Sequence, residues 1–248
     1  SGGTTISDGT LSISSDVNLG NASGTVIFKG GTLRIDDYGP LFTPPTRQFL
    51  TDGANAIFET PPGFFLDISG GISGDAGLVK NGPGTLVLRT TASTYAGPTT
   101  INAGTLQRRQ DELLPDGTDL TVNGVFEFQL GVTETVGSLS GSGSVRFFTT
   151  TGNHLRVGAN NTSTTFGGII SANGGDGQLT KIGTGTLTLT GDSTYSGGTT
   201  ISGGTLVLGH SNAAGTGPIT ITGSTLGYAN GVNIANAIVL ENDATLNV

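Results

Sequence analysis

Two clusters of acidic residues in this 248-residue chain could support catalysis. Asp36 and Asp37 form one cluster, and the second lies within residues 111–119. Two carboxyl groups held roughly 5–10 Å apart can hydrolyse a glycosidic bond. Adjacent residues of a strand point to opposite faces, so Asp36 and Asp37 would not converge. Few other titratable groups surround either cluster, so we interpret both as solvated loop charge and keep a polysaccharide-active β-helix enzyme as an alternative.

The sequence gives little support for a bound metal or cofactor. His154 and His210 are the only histidines and the chain has no cysteine, so a zinc site is poorly supplied with ligands. Residues 174–177 (GGDG) faintly resemble a calcium-binding nonapeptide, but they occur once and are better interpreted as a turn. We therefore expect no metal, no cofactor and no enzymatic activity, with surface or turn positions for both histidines.

Charge and hydropathy limit the kinds of partner. The net charge of −8 disfavours nucleic acid and anionic lipid, because both are negatively charged. No stretch approaches 18 consecutive apolar residues, so we expect no direct membrane insertion of this chain. The absence of cysteine suits either export of an unfolded chain through a narrow pore or a stacked core that needs no disulfides.

Two unusual segments are the predicted places for partner binding. Residues 36–48 (DDYGPLFTPPTRQ) carry three prolines and two aromatic residues, and residues 107–117 (QRRQDELLPDG) concentrate charge. Insertions in repeat proteins map to loops and often to the binding face, although each segment could also be a tolerated bulge. Within the second segment, residues 108–114 could form a short helix that Pro115 would stop. The candidate residues are Asp36, Asp37, Tyr38, Phe42, Arg47, Arg108, Arg109, Asp111 and Glu112.

An internal repeat determines how these segments are positioned. Residues 1–11 read SGGTTISDGTL, and related phrases stand at 96–106 (AGPTTINAGTL) and 196–206 (SGGTTISGGTL). Such self-similarity is typical of solenoids, propellers and similar arrays. Since the chain starts within a repeat, we expect it to be part of a longer protein. The predicted repeat units are approximately 1–95, 96–195 and 196–248, the last of them incomplete.

The segments between these phrases predict short β-strands. At 10–13 (TLSI) and 186–190 (TLTLT), apolar residues alternate with Thr or Ser, which is the pattern of a half-buried strand. Glycine, Asn, Asp and Ser fall between the strands, where turns require them.

The spacing of equivalent leucines favours a solenoid over a sandwich or a propeller. Leu206 and Leu226 are 20 positions apart, and Leu11 and Leu33 are 22 apart, which suits one coil of a parallel β-helix. We predict an all-β, single-stranded parallel β-helix of about eleven or twelve rungs, continuous over 1–248. Leu, Ile, Val and Phe would face inward, and Thr and Ser outward.

Two further pairs of residues hold equivalent places in the repeat. Tyr95 and Tyr195 each lie two residues before a glycine, and we predict that each ring covers a turn and stacks on the neighbouring rung rather than contacting a ligand. Lys80 and Lys181 also correspond, and we expect both to be exposed, as most lysines are.

The repeat resembles a known sequence family. Residues 179–206 read LTKIGTGTLTLTGDSTYSGGTTISGGTL, which is similar to the autotransporter-associated β-strand repeat, also called the passenger-associated transport repeat. The copy at 78–106 is less similar, because Arg89 and Thr90 replace a Thr-Gly pair and two prolines enter. The matching positions are Leu179, Lys181, Gly183, Gly185, Thr186, Leu187, Leu189, Gly191, Tyr195, Gly197, Thr199, Ile201, Gly204 and Leu206.

This resemblance implies a fragment of a type V secreted passenger domain from a Gram-negative bacterium. Members of the family are right-handed parallel β-helices that are exported through their own C-terminal outer-membrane β-barrel. They are displayed on the cell surface or secreted, and many are adhesins or virulence factors. The implied external partner is a host cell-surface protein or glycan. A secreted effector that binds a host receptor through residues 36–48 and 107–117 is the alternative.

Overall fold

The protein is built almost entirely from short β-strands. A computed structural model describes residues 2–36, 40–148 and 152–247. The strands in these ranges are three to five residues long and pair in parallel. They form about eleven turns of a β-solenoid, which confirms the predicted all-β parallel fold and its number of rungs.

Unit 1, the first of two compact units, comprises Ser1–Pro115 and Gly124–Phe126. A single turn of 3-10 helix lies at Asp16–Leu19. The strands are β1 (Thr4–Ile6), β2 (Thr10–Ile13), β3 (Val26–Phe28), β4 (Thr32–Ile35), β5 (Pro40–Thr43), β6 (Phe49–Thr51), β7 (Ala56–Glu59), β8 (Phe65–Ile68), β9 (Ile72–Gly74), β10 (Leu78–Asn81), β11 (Thr85–Leu88), β12 (Thr99–Ile101) and β13 (Thr105–Arg108). They stack in three series, β1–β3–β6–β9, β2–β4–β7–β10–β12 and β5–β8–β11–β13.

Unit 2 comprises Asp116–Asn123 and Glu127–Val248. Its strands are β14 (Asp119–Val122), β16 (Thr133–Val136), β17 (Ser138–Ser140), β18 (Ser144–Phe148), β19 (His154–Val157), β20 (Thr164–Phe166), β21 (Ile169–Asn173), β22 (Gln178–Lys181), β23 (Thr186–Leu189), β24 (Thr199–Ile201), β25 (Thr205–Leu208), β26 (Ile219–Thr222), β27 (Thr225–Tyr228), β28 (Ile238–Glu241) and β29 (Thr245–Asn247). The remaining strand, β15 (Val125–Phe128), has residues in both units. Within unit 2, the strands stack as β16–β19–β22–β24–β26–β28 and β20–β23–β25–β27–β29, with further pairs β14–β17 and β18–β21.

The register places equivalent residues of the repeat directly beside one another. Leu11 pairs with Leu33, and Leu206 pairs with Leu226, so the predicted coil lengths of 22 and 20 residues are confirmed at both places. Because parallel strands lie ~4.8 Å apart, each coil places its apolar side chains directly on those of the next.

The core follows from the alternation of apolar and hydroxyl residues. Leu187 and Leu189 are buried, whereas the intervening Thr188 is partly exposed. In unit 1, Phe58 packs edge-to-face against Phe28 and Phe49, with ring centroids 5.2 and 5.6 Å apart. Successive coils therefore stabilise one another mainly through a continuous column of inward side chains.

Both tyrosines of the repeat are structural, but they lie deeper than the sequence predicted. Tyr95 and Tyr195 are inside the core, with about 2% and 0% of their surface exposed. The hydroxyl of Tyr195 is 2.6 Å from Oγ1 of Thr199, and Tyr95 makes the same contact with Thr99. Burial raises the pKa of Tyr195. A phenol can be buried at this depth because a hydroxyl partner lies four residues away.

The expectation that Lys80 and Lys181 are exposed is wrong. Lys80 is buried, and its ammonium group donates to the carbonyl oxygens of the next two residues, both at 2.8 Å, and to that of Ala103 at 3.2 Å. Lys181 repeats the arrangement and reaches Gly203 on the neighbouring coil at 3.2 Å. Burial lowers the pKa of Lys80 to about 8 and also lowers that of Lys181. Each lysine is thus a cap for converging backbone carbonyls.

The short helix predicted for residues 108–114 is also wrong. The segment after β13 is a series of bends, and Glu112 has φ +45°, a left-handed conformation that interrupts a right-handed helix. Leu113 and Leu114 are both buried, so this segment is anchored by two adjacent leucines instead. In the described ranges, no helix has the length and hydrophobicity needed to cross a membrane.

Candidate ligand-binding groove

A groove on the outward surface of unit 1 is the best candidate for a functional site. It is formed by β5, β8, β11 and β13 together with the residues that directly follow them, and it encloses about 280 Å³. We call it the aromatic groove. Its lining residues are Pro40, Phe42, Phe65, Asp67, Val87, Arg89 and Arg109.

Strand register brings these residues together. Phe42, Asp67 and Val87 occupy equivalent positions on β5, β8 and β11, and Pro40 is paired in the same way with Phe65. The alternate residues of these strands point into the core, so each coil contributes outward side chains at fixed positions. Residues that are more than 20 positions apart in sequence therefore become direct neighbours.

The groove exposes two phenylalanine rings. Phe42 is 56% exposed and Phe65 is 44% exposed. The other nine of the eleven phenylalanines, all within the described ranges, are buried or only partly exposed. Exposure of two adjacent rings is unfavourable in water, and such exposed apolar patches often mark places where another molecule binds.

An ion pair holds one wall of the groove. Arg89 Nε donates to both carboxylate oxygens of Asp67, at 2.9 and 3.0 Å, and its Nη2 also donates to this carboxylate. The Asp67 side chain is 4% exposed, and that of Arg89 is 34% exposed. This hydrogen bonding raises the pKa of Arg89, whose guanidinium carbon lies 5.9 Å from the ring centre of Phe42. The pair fixes Arg89 beside the exposed ring.

Arg109 supplies a second cation one coil further along. Its Nε donates to Oε1 of Gln107 at 3.0 Å, and the side chain is partly exposed. Within the described ranges, its two Nη groups have no hydrogen-bond partner. With two arginines and one aspartate, the lining is locally cationic, although the whole chain carries a net charge of −8. The groove thus combines an apolar ring surface with a cationic edge.

The groove joins the two segments that the sequence singled out. Phe42 comes from residues 36–48 and Arg109 from residues 107–117. The first segment is not the loop that was expected, since residues 40–43 form strand β5. Asp36 is exposed and accepts a hydrogen bond from Arg34 at 2.8 Å, outside the groove lining. Asp37 and Tyr38 lie outside the described residues.

Arg47 does not take the surface role that the sequence suggested. Its side chain is fully buried and pairs with Asp16, with Nη2 donating to Oδ2 at 2.8 Å. The same guanidinium donates to the carbonyl oxygens of Leu19 at 3.3 Å and Gly24 at 3.1 Å. Arg47 organises the loop that contains the 3-10 turn, and a partner cannot reach it.

The remaining candidates lie at or after the end of β13. Arg108 is fully buried and donates from Nη2 to the carbonyl oxygen of Gln110 at 2.7 Å, so it too is unavailable to a partner at the surface. Asp111 is exposed and Glu112 partly exposed, and neither lines the groove. Of the nine sequence candidates, the structure places two in the groove.

Sequence reasoning missed three central residues of the groove. Phe65 and Asp67 lie in a strand with no motif of its own, so only the coil register connects them with Phe42. Arg89 did carry a signal, because Thr190 holds the equivalent place in the more regular copy of the repeat. An arginine at a position where the other copy of the repeat has a threonine was therefore an indication of this site.

The residues considered for metal binding do not assemble. Among the described residues, no group of three or more His, Asp or Glu side chains could hold a metal ion. His154 lies in strand β19, with Nε2 2.7 Å from Thr180 Oγ1, and burial lowers its pKa. His210 Nδ1 lies 3.9 Å from a carboxylate oxygen of Asp192. The two histidines therefore sit in separate hydrogen-bonding environments.

Comparison with known sequences identifies the repeat. Residues 1–13, 78–107 and 179–208 each match the passenger-associated-transport-repeat family. These three matches contain the phrases at which the internal repeat was recognised, and the second and third contain Lys80 and Lys181.

A curated relative extends the comparison beyond the repeats. The adhesin BmaC autotransporter of Brucella suis biovar 1 (strain 1330) is 36% identical over 212 residues, which cover 77% of this chain and 6% of that protein. The chain thus spans a small part of the relative's length. No solved structure matches the chain. Its repeats, its parallel β-solenoid and this relative place the chain in the family of autotransporter passenger sequences that carry passenger-associated transport repeats.

Proposed function

We propose that this chain is a non-enzymatic part of an autotransporter adhesin passenger. Its β-solenoid supports secretion and folding of the passenger, and its outward surface contacts a partner on a host cell. The observation that carries the proposal is the similarity to an autotransporter adhesin across 77% of the chain. On this view, the protein is surface-displayed or secreted, and its partner during export is the outer-membrane β-barrel of its own precursor.

The stacked coils offer a physical reason why the repeats assist export. A solenoid folds by adding coils to a template, and each coil contacts only its neighbours. Leu187, Ile201 and Leu206 are all at most 1% exposed. Burial of one such side chain contributes about 1.5–3 kcal/mol before the entropic cost of ordering. A coil that stacks as it leaves the membrane pore therefore opposes backward sliding of the chain.

Surface display tests this role of the repeat. We expect Leu187→Asn combined with Leu206→Asn to reduce the amount of passenger on the bacterial surface. The reason is that each of the two coils then loses the burial free energy of one core leucine. Display would be measured with antibodies on intact cells that express the protein from its own autotransporter.

The matched control changes residues of the same strands that face outward. Thr188→Asn combined with Thr205→Asn alters partly exposed positions of β23 and β25 and leaves the core intact. Display of this control should equal that of the wild type. Normal display of the core variant, at equal expression, would contradict the role in secretion.

A further inference from the structure

We propose that the aromatic groove binds a carboxylated sugar. The sugar ring would lie on Phe42 and Phe65, and its carboxylate would pair with Arg109. This inference rests on the adhesive function proposed above and names the class of ligand that the surface recognises. It is carried by three properties of the groove: its exposed rings, its local charge and the pairing of its central strands, β8 and β11, on both sides.

The exposed rings provide a surface for the apolar face of a sugar. Phe42 and Phe65 stand on adjacent coils, in diagonally related outward positions of β5 and β8. The face of an aromatic ring carries partial negative charge, and the C–H groups of a sugar carry partial positive charge, so the two surfaces attract. Stacking there would cover rings that are otherwise about half exposed to water.

The charge of the lining selects an anion. Asp67 and Arg89 neutralise each other through their hydrogen bonds, which leaves Arg109 as the cation available to a ligand. A guanidinium presents two parallel N–H donors to a carboxylate, so Arg109 can bind a carboxylated sugar in this bidentate manner. Since the chain as a whole carries a charge of −8, attraction of an anion requires this local cationic edge.

The floor of the groove favours a sugar over an extended peptide. Peptides often bind a sheet by hydrogen bonding to a strand with free backbone groups. Strands β8 and β11 are each paired with a parallel strand on both sides, so their backbone groups are already used. Recognition over β8 and β11 therefore uses side chains, and the volume of about 280 Å³ suits one or two sugar rings better than a longer chain.

Calorimetric titration of the purified 248-residue protein tests the inference. The probes are a hyaluronan tetrasaccharide, which carries carboxylates, and chitotetraose, which is a neutral sugar chain of the same length. We expect the hyaluronan tetrasaccharide to bind, and chitotetraose to bind at least about tenfold more weakly because it lacks the charge-assisted hydrogen bonds. A glutamate-rich octapeptide provides the comparison with an acidic peptide and should not compete.

Variants locate the site. Arg109→Ala and Phe65→Ala should each weaken hyaluronan binding at least about tenfold, while Arg109→Lys should retain part of the affinity because it keeps the charge. Arg156→Ala is the matched control, since Arg156 is an exposed arginine on an outward strand position of unit 2. It should bind like the wild type. Unchanged melting temperatures would show that each variant is folded.

Several results would overturn the inference. These are no binding of the hyaluronan tetrasaccharide, equal binding of chitotetraose or of the acidic peptide, and equal losses for Arg109→Ala and Arg156→Ala. None of these results affects surface display, so failure of the sugar site is distinguishable from failure of the proposed function. Normal display of the core variant, conversely, would contradict the role in secretion and leave sugar binding by the purified chain intact.

Discussion

At the scale of single residues, Lys80 and Lys181 stabilise the turns of the repeat. Each ammonium group accounts for three carbonyl oxygens, one of which belongs to the next coil. The general tendency of lysine to be exposed fails here because the carbonyls that surround it converge only after the coils stack. The sequence shows that both lysines hold the same place in the repeat, but it does not show the carbonyl of Ala103 or of Gly203 at hydrogen-bond distance.

Replacement of either lysine should destabilise the protein. Lys80→Met and Lys181→Met keep much of the side-chain volume but remove the donors, and we expect each to lower the free energy of unfolding by about 1–3 kcal/mol. Lys29→Met is the control, because Lys29 forms an exposed ion pair with Asp52 and should change stability by less than about 0.5 kcal/mol. Urea denaturation measures the free energy of unfolding of all three variants. Equal losses for Lys29→Met and the two buried-lysine variants would show that the hydrogen bonds of the buried ammonium groups do not add to stability.

At the scale of an element, one glycine position illustrates what stacking demands. Gly9, Gly104 and Gly204 occupy the same place in the three phrases, with φ values of +67°, +66° and +61°. A Cβ atom at Gly104 or Gly204 would lie 2.3 or 2.4 Å from a carbonyl oxygen of the preceding coil, whereas at Gly9 it would meet nothing within 4 Å. The repeat predicts a glycine turn at all three places, and only the stacked coils distinguish them.

The three positions form a matched set for mutagenesis. Alanine at Gly9 should cost about 1–2 kcal/mol, the price of a left-handed backbone alone. Alanine at Gly204 carries the same backbone cost and also a clash with the neighbouring coil, so we expect a clearly larger loss. Thermal denaturation of Gly9→Ala and Gly204→Ala compares them directly. Equal losses would contradict the close approach of the two coils.

At the scale of the whole molecule, the repeat makes the fold predictable from the sequence but gives little indication of the groove. The alternation of Leu with Thr and the spacing of Leu206 and Leu226 suffice for a parallel solenoid, because the same contacts recur in every coil. The groove depends on departures from the repeat at Phe42 and Arg89 and on the coils that make them neighbours. The sequence therefore singled out two unusual segments but could not distinguish Arg109, which lines the groove, from Arg47, which is buried.

The inward apolar side chains are proposed to support secretion and folding, and the aromatic groove is proposed to bind the host cell. This division of roles is tested most directly by counting bacteria attached to cultured mammalian epithelial cells, with passenger display quantified on the same bacteria. We expect Arg109→Glu to keep normal display and to lose attachment, toward the level of bacteria that lack the protein. The Leu187→Asn, Leu206→Asn variant should lose display and attachment together. Attachment of the Arg109→Glu bacteria at the wild-type level, with equal display, would contradict the account.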